Sequence, residues 1–192
     1  MSLASVQFSD LVAALAAAHR PTREEAAREL YRRGRTGAED AIAGWRKVPE
    51  IGALISGHCT VGIAVNPDRF AKIRSALGNP RLSSVPPDQD AEEFEWSLDG
   101  GVHLDILTTR QPGGSGAIAR FLAKSGEGIQ QVEFVTENVD LATEQLRSRL
   151  SVQPIYPETR GGADGTRVNF FLVAVPLGGK ILIELVEIPK PA

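Results

Sequence analysis

The feature that most restricts this chain is an internal duplication. "CTVGIAV" reads as a short β-branched strand, and "NPDRFAKIRSAL" as a helix with Asn66 as cap, Pro67 at its first position and Phe70, Ile73 and Leu77 on one face. "RLSSV", "EEFEWSL" and "VHLDILTT" follow as strand candidates, the last two joined by Asp99-Gly100-Gly101, a tight-hairpin signal. After a loop and a helix ("AIARFLAKSG") the same order returns. "IQQVEFVT" is a strand and "NVDLATEQLRSRL" a helix capped by Asn138. "VQPIY", "TRVNFFLVAV" and "KILIELVEI" are strands, with Gly178-Gly179 at the last hairpin. A βαβββ unit used twice at this period is a duplicated module rather than a solenoid.

Registering the copies exposes the chemistry. Thr60 matches Gln131 at an offset of 71, and Asp105 matches Glu184 at an offset of 79, the second half holding longer loops such as "YPETRGGADGTR". Asp105 and Glu184 both stand mid-strand among apolar residues. An acid there is costly unless it is paired, protonated, metal-bound or facing a wet cavity. Two at equivalent positions suggest one site on a pseudo-two-fold axis; the alternative is that both are ordinary solvent-facing positions of an alternating strand.

Residues 1–56 read as helices. Thr22/Glu25 and Thr36/Glu39 have capping-box spacing, Gly34 reads as a stop between two helices, and Pro49 ends the second. Their apolar stripes (Leu11 and Leu15; Leu30 and Tyr31; Ile42 and Trp45) are too thin for a separate core, so they are expected to dock on the same chain or across a homodimer. Arg32, Arg33 and Arg35 read as a solvated basic face. The expected division is a helical extension over 1–56 and a domain over 57–192, with modules 57–110 and 128–188 and a linker helix 116–126.

Charge and cysteine content exclude several classes. A net charge of −3 argues against nucleic-acid binding. No apolar run is long enough to span a membrane, and there is no secretory signal. Cys59 alone makes no intramolecular disulfide or multi-cysteine zinc site, and it reads as an inert buried thiol. The expectation is a cytoplasmic protein.

The stretches "TVGIAVNPDRF", "HLDILT", "GEGIQQVEF" and "RVNFF…GGKILIELVE" resemble the vicinal oxygen chelate superfamily, and within it the methylmalonyl-CoA epimerases, over about residues 58–188. The resemblance implies an α+β fold of two βαβββ modules curled into a half-barrel, here with an N-terminal helical extension. It also implies a metal site drawn from the first and last strand of each module, at Thr60, Asp105, Gln131 and Glu184. The family's two histidines fall on Thr60 and Gln131 and are absent. The carboxylates that remain, Asp105 and Glu184, suit at most a weakly held divalent metal such as Mg²⁺ or Ca²⁺, and no cofactor is expected. His58 and His103 are alternative donors or rim residues. Glu133 shares the face of Gln131 and either enters the cavity or pairs with an arginine.

The function that follows is that of a glyoxalase- or epimerase-like isomerase or lyase acting on a small acyl or carbonyl compound. Glu184 and Asp105 move the proton, and Thr60, Gln131, Glu133 and His103 contact the ligand. A second base is sought among Asp88, Asp90, Glu92, Glu93 and Glu95. The alternatives are a metal-free protein that sequesters a small molecule, or a degenerate copy serving protein interaction. "RGGADGTR" is a candidate anion nest.

Overall fold

The computed structural model describes residues 6–175 and 179–189, so Gly178 of the last expected hairpin lies outside the described residues. The chain divides into two compact units. One comprises residues 1–34 and 60–130, the other residues 35–59 and 131–192. Each unit holds one module of the duplication together with part of the N-terminal helical region. The α+β class and the N-terminal helices read from the sequence are present.

In the first unit, α1 (Phe8–Ala14) and the first part of α2 (Arg20–Arg46) accompany the end of β1 (Ile55–Ala64). The unit is completed by α4 (Pro67–Ala76), β2 (Glu92–Leu98), β3 (Val102–Thr108) and α5 (Ala117–Ser125). β2 and β3 form an antiparallel hairpin whose turn sets Gly100 and Gly101 at φ of 85° and 73°, backbone that only glycine adopts without strain. β3 runs parallel to β1 with Gly62 opposite Asp105. Alternation then sorts the side chains. Val61, Ile63, Leu104, Ile106 and Phe94 are fully buried on one face, where the Phe70 ring of α4 lies 5.2 Å from Phe94. Thr60, Gly62, His103, Asp105, Glu95 and Ser97 share the other face.

The second unit contains the rest of α2, α3 (Pro49–Gly52), β4 (Gly128–Thr136) from Gln131 onward and α6 (Val139–Leu150). β5 (Arg160–Gly161), β6 (Arg167–Ala174) and β7 (Lys180–Glu187) follow. β4 pairs with β7 in parallel, β7 with β6 and β6 with β5 antiparallel. Val132, Phe134, Phe171, Ile183 and Leu185 form the buried face, with Trp45 of α2 edge-on to Phe171 at 5.5 Å and the Arg46 guanidinium 5.5 Å from the Phe134 ring. Asn138 caps α6 as expected, accepting from the Leu141 amide at 2.9 Å. Arg167 ties that helix to the sheet by bonding both Asp140 and Glu187, which holds the Asp140 carboxyl below its ordinary range through its Thr159 and Arg167 hydrogen bonds.

Four local expectations are corrected. Gly34 does not stop a helix: α2 runs unbroken from Arg20 to Arg46. Gly34 is there because the helix passes so close to β1 that a Cβ would sit 2.5 Å from Val61 Cγ1. The capping-box pairs lie inside α2 and are used otherwise; Thr22 meets His19, and Glu39 pairs with Arg46 at 2.9 Å. "RLSSV" and "VQPIY" are not strands. Pro80 and Pro86-Pro87 flank the first, and Pro154 and Pro157 interrupt the second, leaving single backbone bonds from Ser83 to Glu93 and from Ile155 to Phe170. Asn66 does not cap α4 with its side chain, which bonds Glu127 instead.

The thin helical stripes are covered by the same chain. Leu11, Leu15, Leu30, Tyr31, Ile42, Trp45 and Ile51 are all buried, and each large apolar side chain so covered contributes roughly 1.5–3 kcal/mol. The arginines beside them are paired rather than merely solvated. Arg32 and Arg33 both bond the buried Glu29 carboxylate at 2.7 Å, and Arg35 donates to the Gly57 carbonyl. Among the described residues no helix is long and apolar enough to cross a membrane.

Two measurements check this packing. Gly34→Ala gains up to about 1 kcal/mol of helix propensity but drives a methyl into Val61, so urea unfolding should show a net loss of about 1–2 kcal/mol. Adding Val61→Ala should recover part of it. The Arg32 and Arg33 bonds lower the Glu29 pKa from 4.5 to about 2. A carboxyl depressed on folding stabilises the fold above its unfolded pKa, and that stability is lost as pH falls towards the folded one. Glu29→Gln should therefore cost about 1–3 kcal/mol at pH 7, and the gap to the parent should close between about pH 4.5 and 2.

Candidate active site

β7 is apolar almost throughout, and Glu184 interrupts it on the face opposite Ile183 and Leu185. Its exposure is only 6%. Burying a carboxylate is costly unless donors meet it. One donor is Gln131, whose Nε2 bonds Glu184 Oε2 from the neighbouring strand. Glu133, two residues along β4 on the same face, stands directly opposite Glu184 in the parallel pair, with Phe170 opposite on the β6 side. Two acids side by side on adjacent strands repel when both are charged. The second unit thus brings together three of the residues read from the sequence: Gln131, Glu133 and Glu184.

The first unit carries the other three. Asp105 is half-buried on the same relative position of its last strand, opposite Gly62 on β1 and Glu95 on β2. The register therefore makes Asp105 the structural counterpart of Glu184, and Gly62 that of Glu133, at the offsets the sequence indicated. Thr60 lies two residues before Gly62 on that face. His103 is not a free rim residue: its Nδ1 is 3.0 Å from Glu95 Oε1 and 2.9 Å from Ser97 Oγ, and Ser97 donates to Glu95 at 2.6 Å. That network went unread, although the Asp99-Gly100-Gly101 hairpin fixes Ser97 opposite His103.

Strand parity also sorts the acids of residues 88–95. Glu92 falls with Phe94 on the helix-packed face, lining a notch of about 350 Å³ with Phe70, Arg74 and Leu82. Asp90 fixes a loop, accepting from Thr109 Oγ1 at 2.5 Å and the Arg110 amide at 3.0 Å. Asp88 is exposed. Glu93 and Glu95 remain on the face of Asp105. His58 is exposed, and Cys59 is buried as expected. The glycine-rich loop turns two of its amides inward, Gly162 to Thr166 and Thr166 to Ala163.

The residues present do not fit a transition-metal centre. Among the described residues no three His, Cys, Asp or Glu side chains converge, and the amide of Gln131 is turned to the Glu184 carboxylate.

The methylmalonyl-CoA epimerase of Mycobacterium tuberculosis is 31% identical with a TM-score of 0.57, over 72% of this chain and 91% of that one. The chain belongs to the structural family of the methylmalonyl-CoA epimerases. A methylmalonyl-CoA epimerase in complex with methylmalonyl-CoA and NH4+ is 28% identical (TM-score 0.52, 70% of this chain and 94% of that one). A Streptomyces coelicolor methylmalonyl-CoA epimerase variant in complex with 2-nitronate-propionyl-CoA is 26% identical (TM-score 0.52, 71% and 98%). No family model matches the chain, and no curated protein does. The vicinal oxygen chelate fold expected from the sequence is thereby present.

The Gln131–Glu184 bond has a measurable stability. Gln131→Ala removes a donor from a buried carboxylate, and denaturant unfolding at pH 7 should register a loss of about 1–3 kcal/mol. Gln131→Glu, which sets a further acid against Glu184, should cost at least as much.

Proposed function

We propose that this protein is an epimerase-like enzyme that moves the proton on the acidic carbon beside the carbonyl of a small acyl thioester, with Glu184 as the base. The observation that carries the reading is the placement of Glu184. It is a carboxylate sunk in an apolar strand, on the face that α2 and α6 leave uncovered, and oriented by the Gln131 amide. Such a base is largely desolvated and pointed, which is what abstraction from a weakly acidic C–H requires. The C–H bond breaks, its electron pair passes into the carbonyl to give an enolate, and the proton rests on Glu184 until it is returned to carbon. Delivery of a proton to the opposite face of the enolate, by a second acid or by solvent, inverts the centre, and Glu184 then loses its proton to solvent. The solved relatives act on methylmalonyl-CoA by their names, which supports an acyl thioester as substrate class.

Glu133, opposite Glu184 on the neighbouring strand, is assigned a ligand contact. The donor set leads us to propose that turnover needs no divalent metal. A carboxylate base and a hydrogen-bonded enolate are enough for α-proton exchange, because the thioester carbonyl itself accepts the charge.

Racemic methylmalonyl-CoA in deuterated buffer tests this. The protein should speed loss of the α-proton signal in NMR spectra well beyond buffer alone. Glu184→Gln should lower that rate by about 10²–10⁴-fold, the usual contribution of one positioned base. Treatment with a chelator should leave the rate within about twofold. A parent protein no faster than buffer, or a Glu184→Gln variant equal to the parent, would sink the proton-transfer reading; binding without exchange would favour the sequestering alternative.

A further inference from the structure

The notch of the first unit opens on the face of β2 and β3 opposite to the one that carries Asp105. Its volume is about 350 Å³, and it is bounded by α4, the loop that follows α4, β2 and the end of β3. Cavities that hold a small organic molecule begin at about 300 Å³. The floor is closed. Phe70 is buried there, and the buried Thr108 spends its hydroxyl on the Val65 carbonyl at 2.8 Å. The loop wall is tethered at three points. The Asn79 amide donates to the Arg74 carbonyl, Arg74 Nε to the Pro80 carbonyl and the Ser83 amide to the Glu93 carbonyl, each at 2.9 Å. Leu82 lies between two of those tethers and lines the notch with Pro67 and Phe70.

Two opposite charges line this cavity without meeting. Glu92 enters from β2, where it stands opposite Thr108, and Arg74 from the last turn of α4. Both are half-buried, and among the described residues neither has an ion pair. The Pro80 bond engages only the Nε of Arg74, so both terminal guanidinium nitrogens and the Glu92 carboxylate have no protein partner. Charges placed this way carry a cost of partial desolvation that no partner offsets.

We propose that the notch is a binding site for a small zwitterion of the α-amino acid type with an apolar side chain. The ligand carboxylate takes the two terminal nitrogens of Arg74, a planar fork that fits two carboxylate oxygens. The ligand ammonium takes the Glu92 carboxylate, and the side chain lies against Pro67, Phe70 and Leu82. A hydrocarbon in the same space would leave both protein charges unpaired in a drier cavity, and a simple anion or cation would leave one. The pair of charges therefore selects a molecule that carries both. The tethered loop holds the walls in place before the ligand arrives, so less freedom is lost on binding. This site is independent of the proton transfer assigned to Glu184, whose residues belong to the other unit.

Amide NMR spectra of the full-length protein, titrated with L-leucine, L-methionine and L-phenylalanine, test the proposal. At least one of the three should shift the signals of residues 70–82, 92 and 108 and saturate with a Kd of about 1 mM or below. For the tightest of them, the N-acetyl derivative lacks the ammonium and the amide lacks the carboxylate. Each should bind about tenfold more weakly or worse, the usual loss of one charge-assisted bond. Arg74→Gln should erase the advantage of the amino acid over its amide, and Glu92→Gln its advantage over the N-acetyl derivative. Ala71→Phe fills the notch from an exposed position on α4 and leaves both charges in place. It should abolish the response while signals outside residues 66–92 stay where they are in the parent. A parent that responds to none of the three amino acids overturns the proposal, as do shifts that map to other residues. An affinity unchanged in Ala71→Phe overturns it as well. Derivatives that bind as tightly as the amino acid would mark an apolar cleft without charge recognition and overturn it too.

Discussion

Parallel pairing between the first and last strand of each module is the constraint from which the rest follows. It appears as β1 with β3 and again as β4 with β7, with the same relative register in both. Parallel neighbours cannot be joined by a tight turn, so a helix and a hairpin strand must intervene. The register then decides which side chains share a face. Within each module, with Gly62 against Asp105 or Glu133 against Glu184, the last-strand acid falls on one face and the large apolar residues fall on the other, beneath helices. A slip of one residue in either pair would bury the acids under those helices and expose Phe134 or Ile106.

The asymmetry between the modules is as informative as the symmetry. In the first, the acid of the last strand faces a glycine and Glu95, and its neighbour His103 sits in a Glu95–Ser97 network. In the second, the equivalent acid faces Glu133 and Phe170 and accepts from Gln131. The copy with the more deeply buried acid is the one given the base.

The repeat, the hairpins and the two matched acids were legible because they depend on period-2 alternation and on short-range glycine chemistry, which a linear pattern records. The failures have equally local causes. "RLSSV" and "VQPIY" have strand composition, but prolines on both sides of the first and inside the second interrupt the ladder. Gly34 has the spacing of a helix stop, yet its cause is Val61, a contact 27 residues away that no local rule contains. The capping pairs at Thr22 and Thr36 were real spacings inside a longer helix that tertiary packing kept intact. At the site, strand parity would have assigned Glu92 and Glu95 to opposite faces.

The helix that carries Gly34 has a consequence for how the chain is made. Residues up to Gly34 belong with the first unit and those from Arg35 to Cys59 with the second, so neither unit is one continuous stretch of chain. Cutting the gene at the boundary of the duplication would separate each module from residues it packs against. During synthesis, Ile42, Trp45 and Ile51 emerge long before Phe134, Phe171 and Ile183, the residues that complete their unit. At ordinary translation speeds that interval is on the order of ten seconds. For that time an apolar helix face waits on the growing chain before the residues that bury it exist.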